Sequence, residues 1–205
     1  MNLKNRLNQN NESIRMLHTD PNLCDTMSEQ IISWLPKIPK EYVVVCVGTD
    51  RSTGDALGPL IGSYLQDKRL RHMTVYGTLH DPVHATNLED YIQLINMQHK
   101  NAFIIAVDAC LGKTSSVGQV IACVGALKPG AALKKPLPPI GNIHVTGVVN
   151  ISGFMEYSVL QNTRLSIVVE MAKNIASIID NIDQQLTASY VTPAVLMTKS
   201  RKKPI

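Results

Sequence analysis

Acidic residues and histidines follow three of the apolar stretches in this sequence. They are Asp50 and Asp55 after the first stretch, His80, Asp81 and His84 after the second, and Asp108 after the third. If these stretches are parallel strands, their carboxyl ends meet at one edge of a sheet, where open α/β proteins bind ligands. Two carboxylates held close together there do not both ionise easily, so one keeps a proton while the other activates water. A nearby imidazole would instead complete a divalent-metal site.

Each of these acids has a structural explanation beside the catalytic one. Asp55 fits a catalytic role and the first turn of a helix equally well, because a carboxylate there complements free N–H groups and Ser52 completes a capping pattern. For Asp108 a functional role is favoured, since a buried strand end is a costly place for an unpaired acid. Asp50 and Arg51 are candidates for the substrate cleft, but pairing with each other across their turn is the favoured explanation.

Four further polar residues are weaker candidates for the same cleft. His84 lies in a loop beside Pro82, where stabilising the loop explains it as well as catalysis does. His144 lies within a strand pattern, and such a histidine is more often a hydrogen-bonded core residue than a ligand of a bound ion. Asn150 comes at the end of the fifth predicted strand, and the turn 150–153 is expected to form part of the cleft wall together with His84. Glu156 follows this turn and is a candidate for the same edge of the sheet.

The common phosphate-binding and serine-hydrolase motifs are missing from this sequence. The turn from Gly48 to Gly54 lacks the Gly-Lys-Ser/Thr ending of a P-loop and the glycine spacing of a dinucleotide fingerprint. The chain also has no Gly-x-Ser-x-Gly nucleophile elbow. A P-loop enzyme and an α/β-hydrolase are therefore not indicated.

The spacing of apolar residues predicts an α/β protein, a three-layer sandwich around a mostly parallel central sheet of about five strands. Apolar, β-branched stretches predict strands near 42–48, 73–79, 102–107, 118–124 and 143–151. Stripes at helical spacing predict helices at 55–66, about 87–98 and about 163–186. The stripe of the last helix is predicted to comprise Leu165, Val168, Val169, Ala172, Ile175, Ile179, Ile182 and Leu186. The alternation of strands and helices implies right-handed crossovers, which place the carboxyl ends of the parallel strands at one edge.

The sequence predicts one α/β domain over residues 41–187. Residues 1–40 are expected to form an N-terminal extension and residues 188–205 a basic, flexible tail. Residues 128–141 hold four prolines and are predicted to be a loop. A loop of that length inside a compact domain is usually functional or mobile.

Composition indicates a globular protein of the cytoplasm. The chain has 205 residues, a hydrophobic content of 44% and a net charge of +4, which is too mild to predict a nucleic-acid surface. No stretch approaches the roughly 20 apolar residues that span a bilayer. The four cysteines have no Cys-x-x-Cys spacing, so they are expected to be small buried hydrophobes.

Four motifs in order, GTDRSTGDALGPLIG, PVHATNLE, AVDACLG and TGVVNISGFMEYSVLQNTRLS, resemble the YyaC family of sporulation proteins over about residues 42–182. That family is similar to the germination protease of spore-formers and to HybD-like hydrogenase-maturation endopeptidases, which share a phosphorylase/hydrolase-like α/β fold. The resemblance implies that Asp55, in the T/S-x-D-A-L-G-P motif, and Asp108, in the D-A motif, are the catalytic pair. The resemblance also implies that the protein is located in the cytoplasm of a spore-forming cell.

The same resemblance bears on metal binding. In the maturation proteases the corresponding acids bind a metal together with a histidine. Here that set would be Asp55 and Asp108 with His84 or His144. The region where the histidine is expected is the Pro-rich loop 128–141, which is followed by His144 within a strand.

The first hypothesis for function is an aspartate-dependent peptidase of the germination-protease type, acting on a protein or peptide substrate. The alternatives are a catalytically inactive or regulatory binding protein of the same fold, and a metal-dependent hydrolase. No cofactor is assigned, although a divalent metal and a homo-oligomer stay open. Neither nucleic acid nor a membrane is expected as a partner. An active pair requires both acids at one edge of the sheet beside a cleft.

Overall fold

The computed structural model describes residues 12–36, 41–130 and 137–191, with side-chain burial given as far as residue 186. Its strands are β1 (Ser13–Leu17), β2 (Tyr42–Cys46), β3 (Met73–Tyr76), β4 (Phe103–Gly112), β5 (Gln119–Val124) and β6 (Ile143–Ile151). Its helices are α1 (Leu23–Trp34), α2 (Leu57–Lys68), α3 (Leu88–Gln98), α4 (Glu156–Gln161) and α5 (Leu165–Val191). A single 3-10 turn covers Thr114–Ser116.

The six strands form one mixed sheet in the order β1-β5-β6-β4-β2-β3. Neighbours from β6 through β4 and β2 to β3 are parallel, whereas β5 is antiparallel to both β6 and β1. The predicted α/β fold and its five strands are confirmed, but the sheet is not purely parallel. The connection from β4 to β5 spans only residues 113–118, and a parallel return needs a crossover of about a dozen residues.

The segment before residue 40 contributes to the domain, which differs from the predicted boundary. β1 pairs with β5 along its whole length, from Ser13 opposite Cys123 to Leu17 opposite Gln119. α1 buries Met27 and Ile31 completely in the core shared with α5. The alternating exposure of β1 is typical of an edge strand with one face on the protein, and its five residues are too few to stand out in sequence.

The sheet is covered on both faces, as its continuous apolar strands predict. On one face α1, α2 and α5 enclose the larger core, which includes Val44, Cys46 and Ile105. On the other face α3 packs against Val43 and Val45, together with the antiparallel bridge between Leu127 and Ile140. Alternate residues of β2 therefore belong to different cores, and every residue of that strand is buried.

Helix α5 packs through a stripe that is rotated slightly from the predicted one. Of the predicted positions, Val168, Ala172, Ile175, Ile179 and Ile182 are buried. The buried side is completed by Met171 and Ile178, whereas Val169 is only half-buried and Leu165 is 59% exposed. Leu165 is the first residue of the helix, so it lies before the part that packs on the sheet.

The buried carboxylate of Asp183 anchors the chain between α2 and β3. Its two oxygens accept hydrogen bonds from the backbone N–H groups of Arg71 and His72, each at 2.8 Å. Asp183 is 2% exposed, so water does not replace these partners if they are lost.

The Asp183→Ala variant is therefore expected to lose about 2–4 kcal/mol of unfolding free energy, because two part-buried backbone N–H groups lose their charged acceptor. Asp180→Ala on the same helix is the matched control. Asp180 pairs with Lys68 at 2.9 Å at a more exposed position, so its loss is expected to cost less than about 1 kcal/mol. Urea unfolding of both variants measures the difference, and equal costs would contradict the anchoring role.

None of the helices among the described residues is both long enough and apolar enough to cross a membrane.

Candidate functional site

The turn after β2 carries Asp55 and is fastened by backbone hydrogen bonds. Gly48 N–H donates to the Val83 carbonyl oxygen at 2.8 Å, and Thr49 N–H donates to the Asp55 carbonyl oxygen at 3.2 Å. Gly48 has a φ of 149°, and a Cβ there would overlap the Asp55 carbonyl oxygen, so this close approach requires glycine. α2 begins only at Leu57, and its N-terminus has no side-chain cap. The prediction that Asp55 lies in the first turn of the helix is therefore wrong, because Asp55 lies in the turn that precedes α2.

The apolar stretch predicted that Asp108 follows the end of its strand, but Asp108 lies inside β4. β2 ends at Cys46, whose partner in β4 is Val107, so β4 continues past its neighbour from Asp108 onward. On the other side Asp108 is paired with Thr146 of β6. The strand therefore presents Asp108 at the step where β2 stops and the turn bearing Asp55 begins.

A cavity of about 360 Å³ opens at this step, and both Asp55 and Asp108 line it. The two carboxylates are close enough for their charges to interact. Most of the cavity wall is apolar, formed by residues that include Val47, Leu111, Leu127, Leu137 and Leu160. An apolar wall hydrates charge poorly, so it favours the neutral form of each acid.

Burial raises the pKa of Asp108 well above its ordinary value. The Ala109 N–H, which donates to Asp108 Oδ1 at 2.7 Å, offsets part of this rise, while the charge of Asp55 adds to it. Burial also raises the pKa of Asp55, and the Ser52 hydroxyl opposes that rise. The Ser52 oxygen is buried, and its contact with Asp55 lies outside the limits of a regular hydrogen bond. Of the two acids, Asp108 is the one held more firmly in the protonated form.

Three of the other predicted residues, Arg51, His84 and Glu156, also line the cavity. Asp50 does not line it, and it forms no ion pair with Arg51 among the described residues, contrary to the expected pairing. Its carboxylate accepts a long contact from the Thr49 hydroxyl at 3.5 Å instead.

Asn150 and His144 lie outside the cavity wall. The Asn150 side-chain amide donates to Thr163 Oγ1 at 3.2 Å, which ties the end of β6 to the start of α5. His144 Nδ1 contacts the Gly125 carbonyl oxygen at 2.9 Å, the hydrogen-bonded core role that its strand pattern favoured. The turn 150–153 was expected in the wall, but the residues after β6 that line the cavity start only at Glu156.

The polar residues of the loop 80–84 mostly form hydrogen bonds that stabilise the loop itself. Asp81 accepts a hydrogen bond from the Tyr91 hydroxyl at 2.6 Å, and burial together with Asp81 raises the pKa of Tyr91 to about 12. His84 Nδ1 lies 2.9 Å from Thr86 Oγ1, and both residues face the cavity. His80 is exposed and does not line it.

The described residues do not form a three-ligand metal site. Among them no group of three or more His, Cys, Asp or Glu is placed to hold a metal ion. The segments outside the described residues contain none of these four residue types. Of the set that the resemblance implied, His84 lines the cavity with Asp55 and Asp108 without the three being placed to hold an ion, whereas His144 lies outside the cavity and contacts the Gly125 carbonyl oxygen.

Sequence reasoning missed several residues of the cavity. Cys110 lies two residues after Asp108 in β4, and alternation along a strand puts both on one face, so this neighbour was predictable. Burial raises the pKa of the Cys110 thiol, and contact with the Thr146 hydroxyl partly offsets that rise. Tyr157 was not predictable in the same way, because it belongs to the short helix α4, which has too few residues for a periodic stripe.

Comparison with solved structures supports the fold. The crystal structure of the NiFe hydrogenase maturation protease HycI from Thermococcus kodakarensis KOD1 matches with a TM-score of 0.50 and 16% sequence identity. The match covers 71% of this chain and 93% of that one. At this identity it shows a shared fold alone, which confirms the expected likeness to maturation proteases at the level of architecture.

Comparison with known sequences supports the predicted family. The "Uncharacterized protein YyaC" of Bacillus subtilis (strain 168) is 51% identical over 179 residues, which make up 86% of this chain and 87% of that protein. Residues 15–178 match the model of a family described as "Protein of unknown function (DUF1256)". Since this match covers most of the chain, including the cavity, the chain belongs to the DUF1256 family.

Proposed function

We propose that this protein is a peptidase in which Asp55 and Asp108 activate a water molecule between them. The observation that carries the proposal is the pairing of two acids, both with raised pKa values, in one mostly apolar cavity. Coupled carboxylates in a poorly hydrated site are the arrangement that divides acid and base roles between two like residues. The maturation-protease fold supports a peptidase over other hydrolases.

The surroundings assign the two roles. Asp108 is the general acid, because its carboxyl is the more strongly held in the protonated form. Asp55 is the general base, because burial raises its pKa less than that of Asp108 and Ser52 opposes the rise. Each role requires the other acid in the opposite state, so the pair works when it carries one proton in total.

The reaction then needs only the pair and one water. Asp55 removes a proton from the water as its oxygen attacks the scissile carbonyl carbon, and Asp108 gives its proton to the carbonyl oxygen. The neutral tetrahedral diol collapses when Asp55 passes its proton to the amide nitrogen and the C–N bond breaks. One hydroxyl of the diol returns a proton to Asp108, which leaves a free acid, a free amine and the original pair.

The wider setting of the proposal is a protein or peptide substrate in the cytoplasm of a spore-forming cell. The resemblance to sporulation proteins of the YyaC family supports this setting. The resemblance to the germination protease supports the use of aspartates, because its two motifs place acids at Asp55 and Asp108.

A cleavage assay in heavy-oxygen water tests the proposal. The wild-type protein is incubated with a library of short synthetic peptides of random sequence, and mass spectrometry identifies new termini. We expect heavy oxygen in the new carboxyl groups of the cleaved peptides, and we expect the Asp55→Asn variant to produce none. Cleavage that persists in that variant would reject the pair. Peptides that bind the wild type without being cleaved would favour a binding protein of the same fold.

Removing the Ser52 hydroxyl is expected to change the pH dependence of cleavage. The paired mechanism gives a bell-shaped profile, whose acid limb follows ionisation of Asp55 and whose alkaline limb follows loss of the proton from Asp108. Because Ser52 lowers the pKa of Asp55, Ser52→Ala is expected to shift the acid limb to higher pH. Ser33→Ala, at an exposed position of α1, is the control and should leave the profile in place. An unshifted acid limb in Ser52→Ala would remove Ser52 from the mechanism.

A further inference from the structure

Exposed apolar side chains are concentrated beside the cavity. Nine large apolar residues are exposed among those that the structure describes, and five of them lie between residues 151 and 165. They are Ile151, Phe154, Met155, Tyr157 and Leu165. Phe154 is 96% exposed and Met155 is 66% exposed. Such a concentration differs from single apolar residues scattered over a surface, and it is typical of a binding surface.

The centre of this surface, Phe154, Met155 and Tyr157, forms what we call the apolar rim. Tyr157 belongs to the rim and to the cavity wall at once, as the next residue in the chain after Glu156, which also lines the cavity. A chain that leaves the cavity at this side therefore passes onto the rim without a break.

The rim is held between the two elements that carry the catalytic acids. Ser152 N–H, just before the rim, donates to the Gly112 carbonyl oxygen of β4 at 2.7 Å. Just after the rim, the Leu160 carbonyl oxygen accepts from Gly54 N–H at 2.9 Å, one residue before Asp55. The rim thus keeps a fixed position relative to both Asp55 and Asp108.

The local backbone keeps the rim exposed. Met155 has a φ of 65°, in the left-handed region that a residue with a side chain seldom adopts. This turn lets the chain enter α4 while Phe154 stays outside the core. An exposed phenylalanine forgoes the favourable burial of its ring, so an occupant that covers it gains that free energy.

The charges around the cavity indicate what the occupant is. Outside the acid pair, the charged residues that line the cavity are the exposed cations Arg51 and Lys128 and the half-buried acid Glu156, so cations outnumber acids there. None of these three forms an ion pair with another described residue. Unpaired cations next to an apolar surface complement a polypeptide with both acidic and large apolar side chains.

We propose that the apolar rim binds a large apolar side chain of an extended polypeptide substrate whose scissile bond lies at Asp55 and Asp108. The inference rests on the proposed function, because it names the substrate class of that same site. Acidic residues elsewhere in the substrate pair with Arg51 and Lys128. The occupant is a substrate segment and not a second copy of the chain, since a copy docked on the rim would block the cavity that Tyr157 lines.

The test compares Phe154→Ser with Met97→Ser in the peptide-library assay. Met97 is 77% exposed on α3 and does not line the cavity, so it controls for loss of an exposed apolar side chain. We expect wild-type cleavage sites to be flanked by a large apolar residue. In Phe154→Ser that preference should vanish and KM should rise about tenfold at unchanged kcat, since only ring burial is lost. An unchanged KM and preference would overturn the inference and leave the paired acids standing.

Binding and sedimentation separate this inference from the proposed function. If the wild type cleaves nothing, the library is passed over immobilised wild-type and Phe154→Ser protein. Enrichment of apolar, acidic peptides on the wild type alone would uphold the rim as a binding site without turnover. Equal enrichment would overturn it. Sedimentation that shows a dimer of the wild type and a monomer of Phe154→Ser would also overturn it, because the occupant would then be a second copy.

Discussion

The Asp108→Asn variant is expected to lose peptide hydrolysis by about 10²–10⁴-fold, the contribution of a general acid, while it folds at least as stably as the wild type at neutral pH. Asparagine keeps the size of the side chain and the acceptor for the Ala109 N–H. It has no proton to give to a carbonyl oxygen, so the chemical step fails. It also carries no charge that the cavity must accommodate.

The stability effect has a definite sign with pH. Burial raises the pKa of Asp108 in the folded protein above that of the unfolded chain. Below the unfolded pKa both states are protonated and the folded state keeps its full stability. As pH rises toward the folded pKa, the unfolded state ionises first and stability is lost. Asp108→Asn does not ionise, so its advantage over the wild type should appear above about pH 4 and grow towards neutrality.

Urea unfolding at several pH values, beside the cleavage assay, measures both effects. Asp50→Asn is the matched control, because it removes an exposed acid of the neighbouring turn that does not line the cavity. It should change neither activity nor the pH dependence of stability. If Asp108→Asn lost stability at neutral pH, its ionised carboxylate would be a structural partner and its proposed role would be wrong.

Gly62→Ala is expected to destabilise the protein by about 3 kcal/mol, at the upper end of the cost of overpacking. A Cβ at Gly62 would overlap the carbonyl oxygen of Gly77, which follows β3. The clash is with backbone, so no side chain can rotate away and α2 must move off the sheet. The gain of alanine over glycine in helix propensity, about 1 kcal/mol, is too small to offset this.

Thermal unfolding of Gly62→Ala beside Gly153→Ala tests this packing. A Cβ at Gly153 would meet nothing within 4 Å, so that variant should unfold within about 0.5 kcal/mol of the wild type. For a chain of this length, about 3 kcal/mol corresponds to a fall in Tm of roughly 6–12 °C. Equal Tm values for both variants would show that α2 lies farther from the sheet than described. A shift of α2 would also displace the turn that holds Asp55.

Much of the fold was predictable because it depends on local patterns. The buried strands β2 and β4 are continuous apolar stretches, and the predicted strands and long helices all occur, with shifted ends. β1 and α4 were missed because five or six residues carry too little periodicity. The antiparallel course of β5 was also missed. It follows from the partner that each strand selects in the sheet, which a local pattern does not contain.

Sequence could identify a site residue only where its chemical type and its position near a strand end were enough to suggest a role. The place of Asp108 after an apolar stretch favoured a functional role for it, whereas Asp55 was selected by the family resemblance, and the structure brings both to one cavity. It did not indicate Tyr157, which reaches the cavity through the packing of α4 against the turn at Gly54. The prediction that Asn150 lies in the cavity wall is wrong for a related reason, because its side-chain amide donates a hydrogen bond to Thr163 that connects β6 to the start of α5.

The measurement that tests the central claim most directly is a carboxyl-carbon NMR titration of the wild type and the Asp55→Asn variant. If Asp55 and Asp108 share one cavity as a coupled pair, Asp108 titrates well above the ordinary aspartate value of about 3.9 in the wild type. Its pKa should then fall in Asp55→Asn, because the charge that opposes its ionisation is gone. An ordinary pKa for Asp108 that does not change in Asp55→Asn would show two independent acids and contradict the paired mechanism.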